Sequence, residues 1–312
     1  MNYSYAIVAD ITCDLSPQLI KRFEIDGHLP GIMSTPTDES VEGRLDLTEA
    51  ELDAFYSSLK SNKNKYKTSP PSMDKMMQFF EQFLLAGKDV LAVSMSSGLS
   101  ATYNLMLRAE QTLTQKYPQR KICVVDSRKY SIGVGLLAVK ASEFRKKGFS
   151  IEQNVEQIEQ IKKTLHQMGP IDDLFWVASK GRISHSKAFF GTIAGIKPLG
   201  DFDSDGMVSV LAKVSGRENA NKVSIEYIKK TIKSPQDQIV FVAHSARKKQ
   251  AEEFAKLIEE KIKPKEVIIT NLYPFSGINV GPGLVAAYYL GTEITDLAYE
   301  KEVMREIIAS KL

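Results

Sequence analysis

The chain has 312 residues, 43% hydrophobic and 25% charged, and its 41 basic and 38 acidic residues leave a formal charge of only +3. That composition lies outside the disordered and fibrous classes, and charge spread this evenly implies no nucleic acid partner. The length exceeds what a single core usually fills, so two lobes sharing a ligand cleft are expected.

Cys13 and Cys123 lack the paired spacing of a zinc motif and read as reduced core thiols. The chain starts directly in a strand with no basic leader, and no stretch has the length of a membrane span, so a cytoplasmic protein without stable membrane insertion is expected.

In chain order, "YAIVADIT" is a β-branched run, followed by Ser16 as a cap and Pro17 opening a helix through Phe23. "LTEAELDAFYSSLKS" has Thr48 and Glu51 at capping-box spacing, with Leu52, Phe55, Tyr56 and Leu59 on one helical face. In "YKTSPPSMDKMMQFFEQFL", Pro70 and Pro71 hold the loop extended and Ser72 caps a helix burying Met76, Phe79, Phe80 and Phe83. "DVLAVSM" and "KICVVDS" then read as buried strands, with helices predicted over Ser100–Tyr117 and Val134–Lys147. Continuously apolar strands alternating with helices predict a parallel sheet covered on both faces.

A further helix is expected in "SIEQNVEQIEQIKKTLHQM", and Gly169-Pro170 then breaks the rhythm. The expected lobes are therefore 1–168 and 169–312, with a ligand cleft between them. Short strands are predicted in "DLFWVAS", "QIVFVAHS" and "EVIITNLYP", and a hairpin turning at Asp203–Gly206 implies antiparallel pairing. Helices over Arg217–Ile232, Lys248–Lys261 and Pro282–Tyr289 would cover this second sheet.

Ligands of open parallel sheets bind beyond the carboxyl ends of the strands, at helix N-termini. "VSMSSGLSATYN" puts Ser96, Ser97 and Gly98 there, and "TSPPS" adds Thr68, Ser69 and Ser72. Such hydroxyls suit an anionic oxygen group, although each is equally legible as a helix cap, and by pattern alone capping is favoured. A serine-dependent hydrolase or transferase using Ser97 with His244 is an alternative, but "MSSGLS" lacks a nucleophile elbow. His28, His166, His185 and His244 share no metal-ligand spacing, and no acidic cluster suggests a magnesium site. Arg182 in "SKGRISHSK" and Arg217 in "AKVSGREN" are better anion ligands than Lys180, Lys187 or Lys213, because a guanidinium makes forked bonds. "PFSGINVGPG" has neither P-loop nor dinucleotide spacing, so a small-anion or nucleotide module rests on weaker ground.

Taken together, "IVADITCDLS", "EGRLDLTEAELDAFY", "KTSPPS", "SMSSGLSATYN", "VVDSRKYSIGVG", "SKGRIS", "GIKPLGDFDSDGMVSVLAKVSGRENA", "AHSA" and "SGINVGPG" resemble, in that order, the DegV family. Its fatty-acid-binding members include the FakB subunits of bacterial fatty acid kinase. The resemblance implies a two-lobed α/β fold, with a parallel sheet in the N-terminal lobe and a mixed or antiparallel sheet in the C-terminal one. It also implies a non-enzymatic protein that holds one long-chain fatty acid between the lobes without a cofactor. Thr68, Ser69, Ser96, Ser97 and Asn279 would hold the carboxylate, and Phe79, Phe80, Met95, Leu99, Phe189, Phe190, Ile193 and Ile196 are candidate pocket lining. A separate kinase subunit would phosphorylate the bound acid, with Arg182, Arg217 and His244 as phosphate or kinase contacts. The chain departs from the family pattern at Ala101 (usually glycine), Ser215 (arginine) and Asn279 (histidine), losing a cation and an imidazole at the expected carboxylate end.

Overall fold

A parallel sheet buried on both faces requires strands that are apolar throughout. β1 (Tyr5–Asp10) and β6 (Asp89–Ser94) meet that requirement, being buried along almost their whole length. The computed structural model describes residues 3–183 and 195–310, so His185, Lys187, Phe189, Phe190 and Ile193 lie outside the described residues. The chain divides into two compact units, the first made of Met1–Thr48, Asn62–Lys162 and Tyr273–Ile278, the second of Glu49–Ser61, Lys163–Leu272 and Asn279–Leu312.

In the first unit β1 and β6 join β2 (Gly27–Leu29) and β7 (Ile122–Asp126) in a parallel sheet of order β2-β1-β6-β7. A small antiparallel sheet of order β4-β3-β5 comes from β3 (Ile32–Ser34), β4 (Ser40–Glu42) and β5 (Lys67–Ser69). The short helix α1 (Pro17–Arg22) starts where Ser16 accepts from the Leu19 amide with Pro17 in the first turn. On one face of the main sheet, α3 (Met73–Leu85) and α4 (Thr102–Lys116) bury Met76, Phe80, Met106 and Leu113 against Val8, Val90 and Ala92. The other helices are α5 (Ile132–Lys146), almost wholly buried and packed on β1, and α6 (Ile151–Ile161), which sits against α5 and β7. Expected caps are present: Ser72 Oγ accepts from the Lys75 amide at 3.3 Å, and Ser150 with Gln153 forms a capping box.

The second unit contains α2 (Glu49–Ser61) and a mixed sheet of order β12-β11-β13-β8, from β8 (Leu165–Met168), β11 (Ile239–His244), β12 (Glu266–Asn271) and β13 (Val285–Leu290). β11 runs parallel to β12 and antiparallel to β13, which is antiparallel to β8. α8 (Arg217–Thr231), α9 (Lys248–Lys261) and α11 (Ala298–Ala309) bury Tyr227, Phe254, Ile258 and Met304 in its core. A separate hairpin pairs β9 (Ile196–Phe202) with β10 (Val208–Ser215), and Asp203 Oδ1 accepts from the Asp205 and Met207 amides at the predicted turn.

Three expectations are corrected. "DLFWVAS" is not a strand but helix α7 (Leu174–Ser179), because Asp173 accepts from the Trp176 amide at 3.0 Å and starts a helix there. Residues 282–289 do not form a helix: α10 (Pro274–Val280) precedes them, and β13 is a buried strand flanked by β11 and β8. The helix predicted over 150–168 stops at Ile161, and Leu165–Met168 are β8, bonded to β13. Among the described residues, no helix is long and apolar enough to cross a membrane.

Candidate functional site

The parallel sheet of the first unit ends in polar residues. β1 closes on Asp10, β6 on Ser94 and β7 on Asp126, all buried. The loop after β6 is tied to this edge by its backbone: the Met95 amide donates to Asp10 Oδ2 at 2.5 Å, and the Ser96 amide to the Lys129 carbonyl at 2.8 Å. Ser96 Oγ accepts from the Gly98 amide at 3.1 Å, which tightens the turn. Ser97 Oγ donates to Asp126 Oδ2 at 2.6 Å while its amide donates to Oδ1 at 3.1 Å. Asp126 also accepts from the Arg128 amide at 3.1 Å and from Arg128 Nε at 2.9 Å. Just before α4, whose N-cap Ala101 makes no side-chain cap bond, Ser100 Oγ accepts from the Thr102 amide at 3.2 Å. The second hydroxyl segment belongs to the same unit: register pairs Thr68 with Met33 and Ser69 with Ile32, leaving Thr68 half-buried and Ser69 exposed.

Burial perturbs two carboxylates of this unit, Asp10 and Asp14. Asp10 accepts from Thr12 Oγ1 at 2.5 Å and from the Thr12 amide at 2.8 Å, yet burial raises its pKa against those bonds. Asp14, in left-handed conformation at φ 48°, accepts from Ser131 Oγ at 2.6 Å and the Tyr273 amide at 3.0 Å. Complete burial still pushes its pKa up to about 7. A groove of about 440 Å³ on this unit is lined by Pro17, Ile20, His28 and Leu45, with Lys21, Arg44 and Asp46 also along it. That volume suits a small ligand, but Thr68, Ser69, Ser96 and Ser97 do not line it, so it is not where they would hold an anion.

The remaining predicted site residues belong to the second unit. His244 ends β11 with Nδ1 3.4 Å from the Arg247 amide, and burial first, then the Lys248 charge, lowers its pKa to about 4. It is therefore a neutral acceptor at pH 7. Arg182 donates to the Lys180 carbonyl, and Asn279 is half-buried in the last turn of α10.

Arg217 joins a charge cluster that sequence reasoning missed. Asp172 accepts from Lys197 Nζ at 2.6 Å and Arg217 Nη2 at 2.5 Å on one oxygen, and from Arg247 Nε at 2.9 Å and Nη2 at 2.7 Å on the other. Burial works to raise the Asp172 pKa, but the Lys197 bond and the Arg217 and Arg247 cations hold it below the usual carboxylate range. Asp10 and Asp126 carried a signal in the sequence, each being a carboxylate that closes an otherwise apolar strand. Asp172, Lys197 and Arg247 carried none, because they meet only in the folded chain.

This arrangement can be set beside known proteins. A DegV domain-containing protein of Clostridium perfringens is 30% identical over 289 residues, covering 92% of this chain and 97% of its own. A DegV family protein from Thermus thermophilus, described as fatty acid binding, superposes with a TM-score of 0.82 at 20% identity, covering 93% of this chain and all of that one. A DegV family protein from Ruminococcus gnavus, solved with vaccenic acid, gives a TM-score of 0.81 at 22% identity over 92% of this chain and all of its own. The sequence pattern of the family, described as uncharacterised proteins, matches residues 4–292, from the first strand to beyond the last. With nearly its full length matched, the chain belongs to the DegV family.

Proposed function

We propose that this protein binds one long-chain fatty acid, whose carboxylate is held by Thr68, Ser69, Ser96, Ser97 and Asn279, and that it carries the acid without transforming it. The observation that carries this reading is the pair of hydroxyl segments, Thr68–Ser69 and Ser96–Ser97, on one unit, with Ser97 already bonded to a carboxylate. The hydroxyl hydrogen of Ser97 can swing from Asp126 to a ligand carboxylate, exchanging one charge-assisted bond for another of the same kind. Asp126 then keeps three donors, the Ser97 and Arg128 amides and Arg128 Nε, so it is not stranded. In support, the Thermus protein is described as fatty acid binding and the Ruminococcus protein was solved with vaccenic acid. Affinity comes from the tail, at about 0.8 kcal/mol per buried methylene and on the order of 10 kcal/mol for a long chain before ordering costs.

Presentation of the acid to a separate kinase subunit is the second part of the proposal, with Arg182, Arg217 and His244 on the second unit as its contacts. The first part is tested by denaturing purified protein, extracting lipid and identifying it by mass spectrometry, then titrating delipidated protein with fatty acids. A stoichiometric fatty acid is expected. Absence of lipid together with no binding by the delipidated protein refutes the reading, and turnover of acyl esters lost in Ser97→Ala replaces it with the hydrolase.

A further inference from the structure

Three cations of the second unit share one carboxylate. Lys197, Arg217 and Arg247 all contact Asp172, which leaves the cluster with two positive charges in excess. A surface network would lose that excess to solvent screening, but here the side chains of Asp172 and Lys197 are 19% exposed, Arg217 20% and Arg247 28%. Among the described residues Arg217 Nη1 is buried without a hydrogen-bond partner, a donor left unused where its other nitrogen is engaged. Stability alone does not account for such a cluster, since an uncompensated buried cation is destabilising.

The surrounding backbone adds to the field. α8 begins at Arg217 itself after Gly216, and α9 begins immediately after Arg247, and neither helix has a side-chain cap at its N-terminus. The positive ends of two long helices are thus associated with the same three cations. Gly283 permits the close approach: a Cβ there would stand 2.5 Å from Asp172 Cβ, and its φ of +116° disfavours any other residue.

We propose that Lys197, Arg217 and Arg247 form a binding site for a phosphate dianion, either free phosphate or a phosphate monoester, with Asp172 as the internal anion that holds the cations in place when the site is empty. A dianion matches the charge excess, and a tetrahedral phosphate offers enough oxygens to engage a lysine and two guanidiniums as well as Arg217 Nη1. Asp172 opposes the ligand by repulsion, so it sets the affinity. The site shares Arg217 with the proposed kinase contacts and so deepens that part of the reading, but it consists entirely of second-unit residues and needs no lipid, so its test is independent of fatty-acid binding.

The test is isothermal titration calorimetry of the full-length, delipidated protein at low ionic strength, with inorganic phosphate in one arm and hexyl phosphate in the other. Saturable binding that weakens with added salt is expected. Arg247→Gln should weaken it about tenfold through loss of charge-assisted bonds. Asp172→Asn, which raises the excess to three charges, should tighten it about fivefold or more. Tighter binding of hexyl phosphate than of phosphate identifies a monoester site, and equal binding identifies a site for the free ion. If the wild-type protein binds neither compound, or if Arg247→Gln with an unchanged circular dichroism spectrum binds as the wild type does, the cluster is a structural ion-pair hub and the proposal is wrong.

Discussion

Replacing Asp14 by asparagine should change how the protein's stability depends on pH. An unfolded aspartate releases its proton at about pH 4, whereas folded Asp14, fully buried, keeps its proton to about pH 7. Between those values the folded state binds more protons than the unfolded one, so the stability that Asp14 contributes is complete below the lower value and is lost as pH rises through the upper. About three pH units at about 1.4 kcal/mol each give a loss on the order of 4 kcal/mol. The asparagine side chain of the Asp14→Asn variant does not titrate, tolerates the left-handed backbone and can still accept from the Tyr273 amide, while its NH2 can donate to Ser131 Oγ. Asp10, raised by burial, and His244, lowered by burial and therefore opposite in sign, titrate in both proteins. Subtracting the two stability curves leaves the Asp14 contribution together with its coupling to Asp10. Urea unfolding followed by circular dichroism across this pH range should show wild type losing ground to Asp14→Asn as pH rises. Parallel curves would mean that Asp14 is ionised in the fold and that its burial has been misjudged.

Thr68→Ala and Ser97→Ala should each weaken fatty-acid binding by about 1–3 kcal/mol in calorimetry, while Ser97→Ala costs less than that in stability because Asp126 retains its other donors. Arg145→Met should destabilise the first unit by about 3–5 kcal/mol in chemical denaturation. Arg145 is buried, with Nη1 2.5 Å from Asp26 Oδ2 and 3.0 Å from the Tyr5 carbonyl, so its loss leaves Asp26 with only the Ile7 amide and the more distant Lys88 ammonium and unties α5 from β1. Gly169→Ala puts a Cβ 2.2 Å from the Val285 carbonyl oxygen and 2.7 Å from Ala286 Cα, and this clash with backbone should lower the melting stability by about 1–3 kcal/mol or more.

Local physics wrote much of this fold into the sequence. The alternation of apolar strands with capped helices predicted the parallel sheet, Ser72 and Ser16 marked the starts of their helices, and the Asp203–Gly206 turn placed the β9–β10 hairpin. Each of these signals acts over a few residues, so the chain alone can carry it. Where the local signal was ambiguous the fold decided. "LVAAYYL" is apolar at every position but the tyrosine hydroxyls, which fits a buried helix as well as a strand, and only pairing with β11 and β8 makes it β13. Of the candidate site, the hydroxyls were legible because strand ends bind ligands, but their partners were not: Ser97 meets Asp126 across 29 residues. Asp172 meets Lys197, Arg217 and Arg247 across 25, 45 and 75 residues. Electrostatic partners such as these are chosen by sheet order and loop path, and no periodicity along the chain records them.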